Sequence, residues 1–597
     1  MGAQLKKRSE IEEKYKWNLE DLIPSKEALN SLLKEAEEGI SVYKTYQGRL
    51  GSSAAVLAEF LAFDGKLDEV FSRLFAYAQQ KSDEDTTVGE FQALLSRVGT
   101  LSVRAMEAAA FVEPEILAIP ETVMEEFLNT AELSHYRLHL KRILAKKEHM
   151  LTEAEERILS AASGVTQAPS DIFRMFNNAD IRFPVIDGEN GEKIEVTHGR
   201  FIKLLSSRDR SVREAAFHAY YSVYRQYANT VAAMYEGNVK QACFFAKMRK
   251  YGSSREYYLS ENEIPEQVYE NLLKAVEENL PLLHRYVSIR KRELGVDTLH
   301  MYDLYAPLTE DYERTVPFEE AKELILEGLK PLGEEYAAIL RQGFSGRWID
   351  VYENQGKRSG GYSNSVYGVH PYVLMSYEDT MDSVLTLAHE MGHSLHSWYS
   401  GHSQTSTYAH YKIFVAEVAS TCNEVLLLRH LINRAESAAE KKFLLNQFLE
   451  KFRGTFFRQA LFAEFEWKSH RMCQEEIPLT KDALCKLYHD LNVKYFGEDM
   501  VVDSDIDYEW ERIPHFYRPF YVYQYSTGFA AATAIAGRIL EGDQKTLNGY
   551  FEFLKGGCSM TPVELLMLCG IDMEKPEVVG EALRVFEQLL DEFEACR

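Results

Sequence analysis

The sequence predicts a mainly α-helical protein with one small β-sheet near residues 345 to 377. Three observations lead there. Proline numbers only 16 in 597 residues, about half its usual share. Blocks rich in Glu, Lys, Leu and Ala recur along the chain and favour helix. Finally, His389-Glu390-Met391-Gly392-His393 lies inside an apolar helical pattern from Asp379 to Tyr399, with Asp379 or Thr380 as N-cap and Gly401 as a stop signal.

Along the chain, residues 1–110 alternate helical patterns with polar breaks at Gly51-Ser52-Ser53 and Ser82-Asp83-Glu84-Asp85, the pattern of an amino-terminal helical domain. Residues 111–199 read as a helical connecting region. In it, Thr152-x-x-Glu155 has the form of a capping box opening a helix toward Ala162. Ile181 to Val196 alternates apolar and polar residues around Asp187-Gly188-Glu189-Asn190-Gly191, which predicts a hairpin. Helices resume at Asp209 in the third region, 200–597, and Pro265 suits the first residue of a long helix through Val268, Leu272, Val276 and Leu280. Two short alternating stretches, Trp348-Ile349-Asp350-Val351-Tyr352 and Tyr372 to Tyr377, supply the sheet. The basic, glycine-bearing loop from Asn354 to Gly361 lies between them. An edge strand here could hold a peptide by backbone pairing. The candidate substrate contacts are Gly360, Gly361, Tyr362 and Tyr372, with Lys357 and Arg358 as a potential clamp for a carboxyl terminus. No internal repeat or low-complexity linker is present.

Composition narrows the function classes. A net charge of -25 argues against nucleic acid and anionic membrane surfaces as partners. Seven cysteines without a Cys-x-x-Cys pair fit reduced thiols in a cytosol. The start, Met1 to Arg8, has basic residues without a following apolar core, so no signal peptide is expected. Lys6 stands where a myristoylation motif requires Ser or Thr, and no apolar run approaches the roughly 18 residues that span a bilayer. The pattern carries no signal for oligomeric state.

The chemistry centres on residues 389–393. At 3.6 residues per turn, His389 and His393 share one helix face, so two neutral imidazoles can bind one metal ion while Glu390 reaches a water upon it. A catalytic zinc takes three protein ligands and keeps one position open. Extension by His-x-x-Gly-x-x-His is absent, because those positions hold His396 and Tyr399. Two turns from His389, His396 reads as a core or supporting histidine. Glu417, embedded in the apolar run Ile413 to Thr421, is the candidate third ligand, since a buried carboxylate needs a partner. Glu424, two turns further along the same face, could accept the spare N–H of a ligating histidine.

These motifs resemble the thimet oligopeptidase and oligoendopeptidase family of zinc peptidases, through His389-Glu390-x-x-His393 and Phe414-x-x-Glu417-x-x-Ser420. The likeness extends to Trp17-Asn18-Leu19-Glu20-Asp21-Leu22, Gly356 to Tyr362, His370-Pro371-Tyr372, Ile513 to Tyr517, Tyr523 to Phe529 and Gly570-Ile571-Asp572-Met573. The resemblance implies one zinc ion, a zincin-like, almost all-helical fold split by a deep channel, and cleavage of internal bonds in oligopeptides. The pattern of the chain puts the expected catalytic domain at 200–597. His515, Tyr521, Tyr523 and Tyr525 become the candidates that stabilise the transition state, with Tyr521 and Tyr523 competing for one role. The position aligned with the thimet branch's most distal catalytic tyrosine holds Gly528. Two other readings stay open, a zinc carboxypeptidase of related helical fold and a non-catalytic helical scaffold with a structural zinc.

Overall fold

The computed structural model describes residues 5–309 and 314–596. Met1 to Gln4, on which part of the reading of the amino terminus rests, lie outside the described residues. The fold is mainly α-helical with only small sheets, as the low proline content and helix-favouring blocks require. The chain forms two compact units, neither continuous in sequence. One comprises Met1–Glu148, Glu313–Leu427 and Arg538–Gly570; the other comprises His149–Tyr312, Leu428–Gly537 and Ile571–Arg597.

The first unit is built around a three-stranded sheet. β4 (Ile349–Asp350) runs parallel to β6 (Tyr372–Leu374), and β5 (Tyr362–Asn364) pairs antiparallel on the other side of β6. The strands are shorter than the sequence alternation suggests. Trp17, Leu19 and Leu22 of the amino-terminal motif pack with Leu33, Leu74 and Tyr372 into one buried cluster. Burial of each such large side chain contributes about 1.5–3 kcal/mol. Trp17 also donates Nε1–H to Glu84 at 2.8 Å. Its position is therefore fixed by packing and by a directed bond.

The second unit holds the predicted hairpin, β1 (Val185–Asp187) against β2 (Lys193–Glu195), and a parallel pair, β3 (Leu299–His300) with β7 (Met500–Val501). Thr152 and Glu155 form the expected reciprocal capping box, and Asp209 caps the 39-residue helix Arg210–Met248. Pro265 is the N-cap, one residue earlier than expected. The helix it opens stops at Glu278, because Asn279 and Pro281 begin a new helix, Leu280–Glu293. Among the described residues, no helix is long and apolar enough to cross a membrane.

Candidate active site

Two helices carry the metal-ligand candidates, all of which lie in the first unit. The histidine helix, Met381–Ser403, starts where the Thr380 side chain accepts the Ser383 N–H at 3.2 Å. It runs through Gly401, which corrects the expected stop there. Nothing lies within 4 Å of a Cβ built on Gly401, so the residue is merely a weak helix former in open space. Glu417 stands on the second helix, Ile413–Arg434. The two helices touch backbone to backbone at Gly392, where an added Cβ would stand 2.5 Å from Ser420 Cα and 2.8 Å from Ala419 O. Asn423 ties them together, donating to Ala388 O at 3.1 Å while accepting from the Tyr336 hydroxyl at 2.9 Å. Gly392, Asn423 and Tyr336 escaped the sequence reading. Only Gly392 left a signal, since glycine inside a helix costs about 1 kcal/mol against alanine and calls for a packing reason.

This packing brings three donors together. His389 Nε2 lies 3.1 Å from His393 Nε2, and Glu417 Oε2 lies 3.4 Å from the first and 3.7 Å from the second. Donors on a tetrahedron around an ion at zinc–nitrogen distance stand about 3.3 Å apart, so the group fits a single zinc-sized cation. The outer ring nitrogen of His389 is held by Glu424 Oε1 at 2.9 Å, and His393 bonds the backbone of Ala416. Both rings are thereby fixed with Nε2 turned inward. Ser420 donates its hydroxyl to Glu417 Oε2 at 3.3 Å. His396 is buried apart from this group. It stacks on Tyr411 with centroids 3.7 Å apart, and among the described residues neither of its ring nitrogens meets a hydrogen-bond partner.

Electrostatics separate the roles. Burial alone would keep His389 neutral, but the hydrogen bond and charge of Glu424, then Glu417 and Glu390, raise its pKa to about 9. Burial, then the charge on His389, lowers His393 to about 3. Glu390 is 7% exposed. Burial raises its pKa to about 7; His389 and a backbone hydrogen bond from Ser363 pull downward, and Glu417 and Glu424 push upward. A carboxylate at that value can take and return a proton near neutral pH.

β5 passes beside Glu390. A Cβ on Gly361 would stand 3.6 Å from Glu390 Oε1, and the Ser363 and Ser394 hydroxyls bond at 2.9 Å. β5 is the outer strand of its sheet. Gly360 has φ of +92°, a conformation that favours glycine. Tyr362 donates its hydroxyl to Asp83 at 2.8 Å. Tyr372 is fully buried, edge-on to Trp17, and donates to Asn18 O at 3.1 Å. It is a core residue, which corrects its expected contact with substrate. Lys357 is likewise no clamp: it is buried and paired with Asp350 at 2.7 Å, a carboxylate that Arg8 also binds at 2.6 Å. Arg358 pairs with Asp83 at 3.4 Å.

In the second unit, His515, Tyr521 and Tyr525 form one group. The Tyr525 hydroxyl lies 3.4 Å from His515 Nε2, and the Tyr521 and Tyr525 rings meet edge-on at 5.5 Å. Arg518 covers Tyr521 at 4.1 Å from its centroid. Burial, then Arg458 and Arg518, hold the His515 pKa below its usual value. Tyr523 is not brought to this group. It is 1% exposed and packs on Tyr269 with centroids 5.0 Å apart.

Comparison with known proteins places the chain in a family. Residues 203–585 match peptidase family M3, and residues 115–183 match the family described as oligopeptidase F. Oligopeptidase PepF of Bacillus subtilis is 46% identical over 99% of this chain and 88% of its own. Group B oligopeptidase PepB of Streptococcus agalactiae is 40% identical over 98% of both chains. The structure of oligoendopeptidase-F from Enterococcus faecium aligns with TM-score 0.75 and 38% identity over 95% of this chain and 98% of its own. Fold and relatives together define a helical peptidase. The chain belongs to peptidase family M3.

Proposed function

We propose that the protein is a zinc-dependent endopeptidase that hydrolyses internal bonds of short oligopeptides. The observation that carries this reading is the convergence of His389 Nε2, His393 Nε2 and Glu417 Oε2 within 4.8 Å of one another, beside a buried Glu390. A zinc ion held there would supply a Lewis acid that acidifies water and polarises a carbonyl. Glu390 takes a proton from the attacking water on its carboxylate and returns it to the leaving amine. Its raised pKa supports this two-way use. Glu424 keeps His389 oriented through Nδ1, and the outer edge of β5, with Gly360, Gly361 and Tyr362, pairs with the peptide backbone. His515, Tyr525 and Tyr521 donate hydrogen bonds to the substrate's developing oxyanion. Their clustering favours Tyr521 over the buried Tyr523 for the last role.

The proposed catalytic domain, residues 200–597, holds all of this chemistry, preceded by regions 1–110 and 111–199. Seven free cysteines support a reducing, cytoplasmic setting, and oligopeptides are the proposed partners, with neither nucleic acid nor membrane. The test is a peptide of roughly ten residues acetylated at one end and amidated at the other. Cleavage at an internal bond, lost with a chelator and restored by zinc, is expected. Cleavage only after the carboxyl terminus is freed would identify a carboxypeptidase. No cleavage of either peptide by the zinc-loaded protein would leave a scaffold.

A further inference from the structure

The second unit contains a cavity that peptide hydrolysis does not use. It is lined by Tyr305, Arg453, Arg458, Glu509 and Arg512 among mainly apolar side chains such as Phe201. Arg453 lies within, and Arg458 directly follows, a π-helical turn at Phe452–Phe457. Such wide turns are rare and recur at functional sites. Here the turn sends both guanidinium groups to the same space.

The charges around it do not balance. Arg290 and Arg453 share Glu450, and Arg458 and Arg512 share Glu509. Among the described residues, four guanidinium groups against two carboxylates leave two positive charges. Each carboxylate is also bonded by a phenol, Glu450 by Tyr286 and Glu509 by Tyr488, so neither can serve a further arginine well. Arg453 is 5% exposed; its Nε and Nη2 bond Glu450, while among the described residues Nη1 meets no acceptor, and neither does Nε of Arg512. Buried charged donors left unmet are costly. Burial would raise the Tyr305 phenol, but Arg458 and Arg453 pull it below its usual value, as a net positive cavity should.

We infer that this cavity binds one small monovalent anion, through Arg453, Arg458, Arg512 and the Tyr305 hydroxyl. The space is small, about 30 Å³, and its walls are mainly apolar. A strongly hydrated dianion such as sulfate would lose more hydration there than these donors return. A halide or a small carboxylate meets the requirement.

Crystals of the full-length protein soaked in sodium bromide should show an anomalous peak beside Arg453 Nη1. In solution, the unfolding midpoint should climb as chloride replaces gluconate, an anion too large for the cavity, at constant ionic strength. Acetate acting as well as chloride would indicate a carboxylate ligand, and chloride acting alone a halide; either supports the site. Arg453→Gln should weaken the response at least tenfold. If that variant fails to fold, the bromide map of the unaltered protein decides. A cavity without bromide, with midpoints that follow ionic strength alone, overturns the inference. So does a tyrosinate absorbance near neutral pH that Tyr305→Phe removes and chloride leaves unchanged, because the phenolate would then be the counter-ion.

Discussion

His389, His393 and Glu417 come from two helices that meet backbone to backbone, whereas His515, Tyr521 and Tyr525 come from a 3-10 turn, the loop after it and the start of a helix. The first group is braced from outside by Glu424, Ala416, Asn423 and the missing side chain of Gly392. The second is held by ring contacts and one polar link of 3.4 Å. A braced set suits ligands that must hold one geometry with or without substrate. A loosely joined set suits donors that engage only when charge develops. Changes in the first group should therefore act through metal affinity, and changes in the second through kcat alone.

Removing a ligand should have the largest effect. His393→Ala or Glu417→Ala should weaken zinc binding by more than the roughly 10- to 100-fold that loss of an outer partner costs, and hydrolysis should fall to background. Unchanged metal content in either variant, measured by elemental analysis, would remove that residue from the ligand set.

The second group should divide. Tyr525→Phe and Tyr521→Phe should lower kcat by about 10²-fold with KM nearly constant, the mark of a donor used only in the transition state. Tyr523→Phe should keep near-normal kcat, because its ring is packed on Tyr269. Steady-state kinetics on one peptide decide, and equal loss in all three variants would break the contrast between the half-buried Tyr521 and Tyr525 and the buried Tyr523.

Acidity sharpens the comparison further. Without metal, His389 titrates at about 9, so at neutral pH a bound proton must leave before the ring can ligate. Zinc uptake should release about one proton, and affinity should fall about tenfold per pH unit below that value. For the metal-free protein the sign reverses. A histidine raised from 6.5 to about 9 stabilises the fold fully below its unfolded value, and that contribution is lost as pH rises through about 9. Titration with a pH indicator and denaturant midpoints across this window check both slopes.

The smallest effects belong to two glycines of one helix. Gly392→Ala forces a Cβ to 2.5 Å from Ser420 Cα and should destabilise by about 1–3 kcal/mol, with weaker zinc binding. Gly401→Ala meets nothing within 4 Å and should stabilise by about 0.5–1 kcal/mol. Denaturant unfolding of the two variants would expose any error in the close-approach argument.

The same contrast explains what was legible in the sequence. His389, Glu390, His393 and Glu417 stand out because helical spacing and polar residues in apolar runs are local signals. The helical class and the hairpin at 185–195 were readable for the same reason. Lys357 was misplaced because an exposed loop and a buried ion pair have the same composition, and Tyr372 because an alternating strand does not say which of its faces meets the distant Trp17. Lys357 is buried by Asp350 and Arg8, the latter more than 340 residues away in sequence. Tyr521 and Tyr523 could not be separated, since only the tertiary fold sets which of two alternating phenols meets Tyr269. The two units were invisible because each is assembled from separate stretches of chain.

The most direct test is Glu390→Gln, assayed for zinc content and for turnover of a doubly capped peptide in the same preparation. The amide keeps size and hydrogen bonding but cannot take the water's proton, so one equivalent of zinc should remain while kcat falls by roughly 10²-fold or more. Normal turnover with zinc bound, or loss of the zinc itself, would contradict the assignment of Glu390 as the base beside a His389, His393 and Glu417 metal centre.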